Sequence, residues 1–241
     1  MDRLIYLAMS GAKATLQRQD VLANNLANAS TSGFRAEMQA FRAVPVQGDG
    51  ASTRVYALES TVGYDAAPGA VQSTGRSLDV AMQGKGWLAV QSLTGTEAYT
   101  RAGSLQLSPE GQLVTPGGLP VLGDGGPITI PANAAVEIAG DGTITTTVAG
   151  SRPQQAGRLK MVTPEAPMIR GTDGLFRGAE GDLPADETAR LQAGALEGSN
   201  VSPVETMVAM IAAARQFEQQ MKMLQGAEQR EQAATKLLSS Q

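Results

Sequence analysis

Ser202-Pro203-Val204-Glu205 opens the stretch whose reading decides the fold. Ser202 suits a helix N-cap, Pro203 the first helical position, and Glu205 the capping-box position three residues on. Beyond it Met207, Met210, Ala214, Phe217, Met221, Leu224 and, after a polar run, Leu238 recur at spacings built from three and four. That is the apolar period of a long helix. The other end of the chain repeats it: Ile5, Met9, Ala12, Leu16, Gln19, Ala23 and Leu26 form a heptad seam with one polar interruption. At 1.5 Å per residue the two helices would be roughly 45 Å and 55–60 Å long. The seams sit at opposite ends, about 165 residues apart, so pairing them requires the termini to meet in space.

Breakers fall almost entirely between the two helices. Of 28 glycines, 26 lie from Gly33 to Gly198, and 11 of the 12 prolines share that span. Charge divides the same way. Residues 1–32 carry three basic and two acidic groups and residues 199–241 four of each, leaving 12 basic against 17 acidic in the middle. Two near-neutral ends therefore flank an acidic centre. The N-terminal seam uses alanine and glutamine, and Asn24, Asn25 and Asn28 are weak helix formers. Helices of this kind are marginal alone and gain from packing on many neighbours, which points to self-assembly.

The middle reads as β-structure. Leu88 and Val90 follow Trp87, and Leu105 and Leu107 lead through Ser108-Pro109-Glu110-Gly111 to Leu113 and Val114, a hairpin. Ile128/Ile130, Val136/Ile138 and Ile144/Thr146/Val148 alternate with period two, with Asp141-Gly142 as a tight turn. Leu159/Met161 and Leu191 read as further short strands. The expected fold is α+β: paired N- and C-terminal coiled-coil-type helices, an extended connector, and a central all-β barrel or sandwich-like domain. The expected divisions are 1–33 with 199–241 for the helices, 34–75 with 190–198 for the connector, and 76–189 for the β domain.

Composition excludes much chemistry. The 241 residues hold no cysteine and no histidine. Disulfides, Cys/His zinc sites and every Ser-His-Asp or Cys-His mechanism are therefore absent. A net charge of −4 and 4% aromatics argue against nucleic acid. No apolar run approaches the roughly 18 residues of a membrane span. Leu4–Met9 behind Arg3 is only six residues, short of a cleaved secretion signal, so any export would proceed without one. Ser10-Gly11-Ala12-Lys13 fits S-x-x-K without its companion motifs. Gly84-Lys85-Gly86-Trp87-Leu88-Ala89 fits G-x-G-x-x-A, but a strand rather than a helix follows. Asp182, Asp186 and Glu187 are candidate acid/base carboxylates only if the chain were a secreted β-domain that binds or cleaves peptidoglycan. No catalytic residue, metal ligand or cofactor is expected.

Two segments are far more specific: Ala23-Asn24-Asn25-Leu26-Ala27-Asn28-Ala29-Ser30-Thr31-Ser32-Gly33-Phe34-Arg35, and Leu196-Glu197-Gly198-Ser199-Asn200-Val201-Ser202-Pro203-Val204-Glu205. The second runs on through Met207-Val208-Ala209-Met210-Ile211 and Ala214-Arg215-Gln216-Phe217-Glu218. Together they closely resemble the paired terminal signatures of bacterial flagellar rod and hook proteins. Leu78-Asp79-Val80-Ala81-Met82, Gly84-Lys85-Gly86-Trp87 and Tyr99-Thr100-Arg101-Ala102-Gly103-Ser104 resemble that family's rod-type β-domain. Trp87 after the glycine pair and Arg42-Ala43-Val44-Pro45-Val46 look most like its proximal-rod member, with the distal rod protein as the alternative within the family. Ser32 departs from the proline or asparagine common at that position.

The resemblance implies a structural protein that polymerises helically into the periplasmic drive shaft of the flagellar basal body, transmitting torque. It implies other proximal and distal axial rod proteins as partners, and exit through the flagellar type III export apparatus. It implies no nucleic acid, membrane insertion or small-molecule substrate. The residues expected to carry assembly are Leu16, Leu26, Val201, Met207, Ile211 and Phe217 for packing. Asn24, Asn25 and Asn28 are expected to meet polar groups between subunits, Phe34 to anchor the chain where it turns, and Ser199 and Asn200 to shape entry to the last helix.

Overall fold

The computed structural model describes residues 2–45 and 55–239, so Val46 and the rest of 46–54, inside the expected connector, lie outside the described residues. The chain forms two compact units. One holds residues 1–29, 36–65 and 201–241; the other holds 30–35 and 66–200.

The first unit contains helix α1 (Asp2–Ala27), helix α2 (Pro203–Ser239), and strands β1 (Glu37–Pro45) and β2 (Val55–Tyr64). α2 begins at Pro203, as the capping signals require, and Thr206 turns its N–H (3.0 Å) and hydroxyl (2.8 Å) back to the Ser202 carbonyl. The two helices pack through small residues. Ala8, Ala12 and Thr15 are buried on α1, and Thr206, Ala213 and Ala227 on α2. Gly11 leaves room for the Gln220 side chain: a Cβ there would lie 3.0 Å from its Cδ. This corrects the expected seam. Met9 and Leu16, two of its largest members, are exposed, because the buried line runs along neighbouring small side chains that let the backbones approach.

β1 and β2 pair antiparallel from Glu37↔Tyr64 to Pro45↔Val55, with an irregularity between Ala40 and Phe41. Residues 37–45 and 55–64, expected as plain connector, are therefore a two-stranded ribbon. The extra residue at this irregularity is Ser60 of β2, which falls between the partners of Ala40 and Phe41.

The second unit is built on short strands. β3 (Val71–Ser73) pairs with Ala195–Glu197, and β4 (Val80–Met82) with Leu191–Ala193. β5 (Trp87–Gln91) and β6 (Glu97–Thr100) form a hairpin at the centre of a five-stranded sheet. Met161–Val162 flanks β5; Phe176–Arg177 and then Ile169–Arg170 flank β6. Ala134–Ile138, Thr143–Val148 and Gln154–Arg158 make a three-stranded sheet, with the expected turn at Asp141-Gly142. The core gathers Leu88, Val90, Leu105, Leu113, Val121 and Ile144, all essentially inaccessible. The α+β class holds. The barrel does not: among the described residues the strands make several small open sheets, because Gly- and Pro-rich turns cut most of them to two or three residues.

Candidate assembly site

The residues singled out by sequence fall in three places. Leu16 on α1 and Met207 and Ile211 on α2 are exposed, and Leu26 and Phe217 are half-buried. On α2, Val204 (71% exposed), Met207 (50%), Val208 (62%) and Ile211 (56%) follow at offsets of three, four and seven. They form one apolar face that this chain leaves to solvent, on a helix whose opposite side is already packed. A contiguous exposed apolar row of this kind marks an interaction surface.

The polar residues at the end of α1 behave differently. Asn24 is exposed, and half-buried Asn28 donates to its carbonyl at 2.9 Å and its Oδ1 at 3.2 Å. Asn25 is buried; its Nδ2 donates to the Glu37 carbonyl (2.9 Å) and its Oδ1 accepts from the Glu37 N–H (2.8 Å). Asn25, expected to meet polar groups between subunits, here spends both ends of its amide within the chain.

Phe34, Ser199 and Asn200 belong to the second unit. Phe34 is buried, with the Arg170 guanidinium 4.7 Å above its ring. Asn200 donates from Nδ2 to the Ala67 carbonyl at 2.9 Å and from its backbone to Phe34 at 3.3 Å; Ser199 is half-buried beside it. Val201, the first residue past this unit, is buried.

Sequence reasoning missed an ion cluster among the same segments. Glu197 is 1% exposed, and its Oε1 lies 2.7 Å from Arg35 Nη2, itself 1% exposed. The same oxygen accepts the Gly69 N–H at 2.9 Å. Arg101 Nε stands 3.0 Å from Oε2 without an aligned N–H, so that contact is one of charge alone. Arg101 spends its other nitrogens on the carbonyls of Gly86 and, at 2.9 Å, Gly84, with the Trp87 ring 5.7 Å away. Burial pulls the Arg101 guanidinium below its ordinary range, against the pull of Glu197. No sequence signal pointed to it: alternation would favour burying Leu196, whereas Ala195 and Glu197 are the buried pair and Leu196 is half-buried.

Of the carboxylates weighed for catalysis, Asp186 is otherwise engaged. A cleft of about 610 Å³ is lined by Glu97, Lys160, Asp186 and Glu187 among others. Asp186 caps a turn, accepting from the Thr188 N–H (2.8 Å) and hydroxyl (2.6 Å). Hydrogen bonds from the hydroxyls of Thr163 and Thr188 hold its carboxyl at about 2. Such a group has no proton to give at neutral pH. Glu97 is paired with Lys160 at 2.7 Å. Among the described residues no group of His, Cys, Asp and Glu could hold a metal, and no helix is long and apolar enough to cross a membrane.

Comparison with known proteins covers the same segments. Residues 5–35 match the family described as flagella basal body rod protein, and residues 192–237 the C-terminal family of flagellar basal body rod FlgEFG proteins. Residues 81–146 match the flagellar hook protein FlgE/F/G D1 domain. The flagellar basal-body rod protein FlgF of Salmonella typhimurium is 50% identical over 99% of both chains, and that of Escherichia coli 48% over the same share. The FlgG rod protein of Bacillus subtilis is 32% identical over 93% of this chain and 94% of its own.

Proposed function

Because the chain belongs to the flagellar basal-body rod proteins, in the FlgF family, we propose that its exposed apolar helix face is what joins one copy to its neighbours in the rod. The protein is a structural component of the flagellar basal body, not an enzyme, and it assembles with other rod components. The single observation that supports the joining surface is the row Val204, Met207, Val208 and Ile211, solvent-exposed on a helix already packed along its other side.

In the rod, α1 and α2 act as a coiled-coil-type pair whose outward rows interlock with those of adjoining copies, and Leu16 contributes from α1. A heterologous contact repeated this way builds a helical tube, and the tube transmits torque. Balanced charge at both ends lets copies crowd without mutual repulsion. Asn24 and Asn28 line the end of α1 and supply polar contacts there. The chain reaches the periplasm through the flagellar type III export apparatus, which its marginal terminal helices suit. Deleting the gene tests the reading: cells should keep a basal ring and lack a completed rod. Normal rods in the deletion strain would refute it.

A further inference from the structure

We propose that Glu197 is a clasp that ties together every chain passage by which the second unit is joined to the first. The chain crosses between the units at 29/30, 35/36, 65/66 and 200/201. Beside those crossings lie three segments, 33–35, 67–70 and 197–200, and Glu197 binds them to one another. Its carbonyl accepts the Gly33 N–H at 2.7 Å, and its Oε1 takes Arg35 and the Gly69 N–H together. Around it Gly198 donates to Ala70 at 2.8 Å, and Asn200 reaches both Phe34 and Ala67.

A carboxylate suits this task because one oxygen carries more than one lone pair, so Oε1 accepts from two segments at once while Oε2 faces Arg101. Two guanidinium groups offset its burial. The arrangement is also one-sided. Arg35 and Arg101 are both buried, and Arg35 Nε and Nη1 have no hydrogen-bond partner. Without the carboxylate, two like charges would face each other out of water, and repulsion would push the passages apart. The segments approach closely enough to demand glycine at two points. A Cβ on Gly69 would overlap the Gly198 carbonyl, and one on Gly33 the Arg101 backbone. In a rod under torque, force passing between the units runs through these crossings; this last step rests on the rod reading, whereas the clasp does not.

The test is amide hydrogen exchange on the purified full chain carrying Glu197→Gln, which keeps shape and removes charge. The clasp predicts exchange at least about tenfold faster at Gly33, Gly69, Gly198 and Asn200, with Ala89, Leu113 and Val121 in the core unchanged. No change at the four, or an equal rise in the core, overturns it. Should that variant fail to fold, Arg35→Met leaves Glu197 paired with Arg101. Faster exchange at Gly33 and Asn200 then supports the clasp, and wild-type protection there overturns it. For the role in force, cells with Glu197→Gln and complete rods should swim in dilute medium and stall in viscous medium. Equal swimming in both overturns that role and leaves the rod reading standing.

Discussion

Asn25 and Glu37 exchange two hydrogen bonds, side-chain amide against backbone, at 2.9 Å and 2.8 Å. A side chain at the end of α1 thus takes the place of a neighbouring strand at the first residue of β1, and helix and ribbon are registered by one residue.

Asn25→Ala removes both hydrogen bonds between the buried Asn25 amide and the half-buried Glu37 backbone, and should destabilise the helical unit by about 1–3 kcal/mol. Asn25→Leu should do the same and impair motility. In both variants the β unit should keep its own denaturation transition. Chemical denaturation followed separately by helical signal and by Trp87 fluorescence checks this; unchanged helical stability would contradict it.

Ile211→Lys and Val208→Lys place charge on an exposed face, so the isolated protein should change by no more than about 0.5 kcal/mol. Motility and rod completion should nonetheless be lost. Thermal melting paired with a swimming assay separates the two effects.

Much of this was readable from the chain before any fold was known. Breaker-poor ends with apolar spacing give α1 and α2, and the β5–β6 region follows from alternation around Leu88 and Val90. Which helix face is buried was not readable. Ala8, Ala12 and Thr15 win the intrachain contact by being small, and hydrophobicity alone favours Met9 and Leu16. The β1–β2 ribbon was not readable either, since its pairing slips by one residue at Ser60 of β2. Glu197 was hidden by its charge, since a lone glutamate is ordinarily solvated, and its partners Arg35 and Arg101 are remote in sequence.

Gly33→Ala should destabilise the β unit. Gly33 sits at φ +70° with the Arg101 backbone against it. The conformation alone costs a non-glycine residue about 1–3 kcal/mol. A lowered melting temperature with α1 and α2 still helical is the expected result, measured by calorimetry alongside circular dichroism.

Acid sensitivity should carry a mark of Asp186. Its carboxyl titrates at about 2 in the fold, held down by the Thr163 and Thr188 hydroxyls, against about 3.9 for an unfolded aspartate. A depressed folded value contributes stability above about pH 4, and that contribution is lost as pH falls from about 4 to about 2. Asp186→Asn should therefore flatten the stability profile over that interval; an unaltered slope would show that the turn does not depend on the charge.

The absence of cysteine from the chain permits one decisive measurement. With Ile211→Cys as its sole thiol, the purified soluble protein and intact basal bodies are exposed to the same thiol-reactive reagent. If the α2 face joins copies, the soluble protein reacts quickly and the assembled rod is shielded. Equal reactivity in both states would mean that this face stays open to solvent in the rod, and the account of assembly would fail.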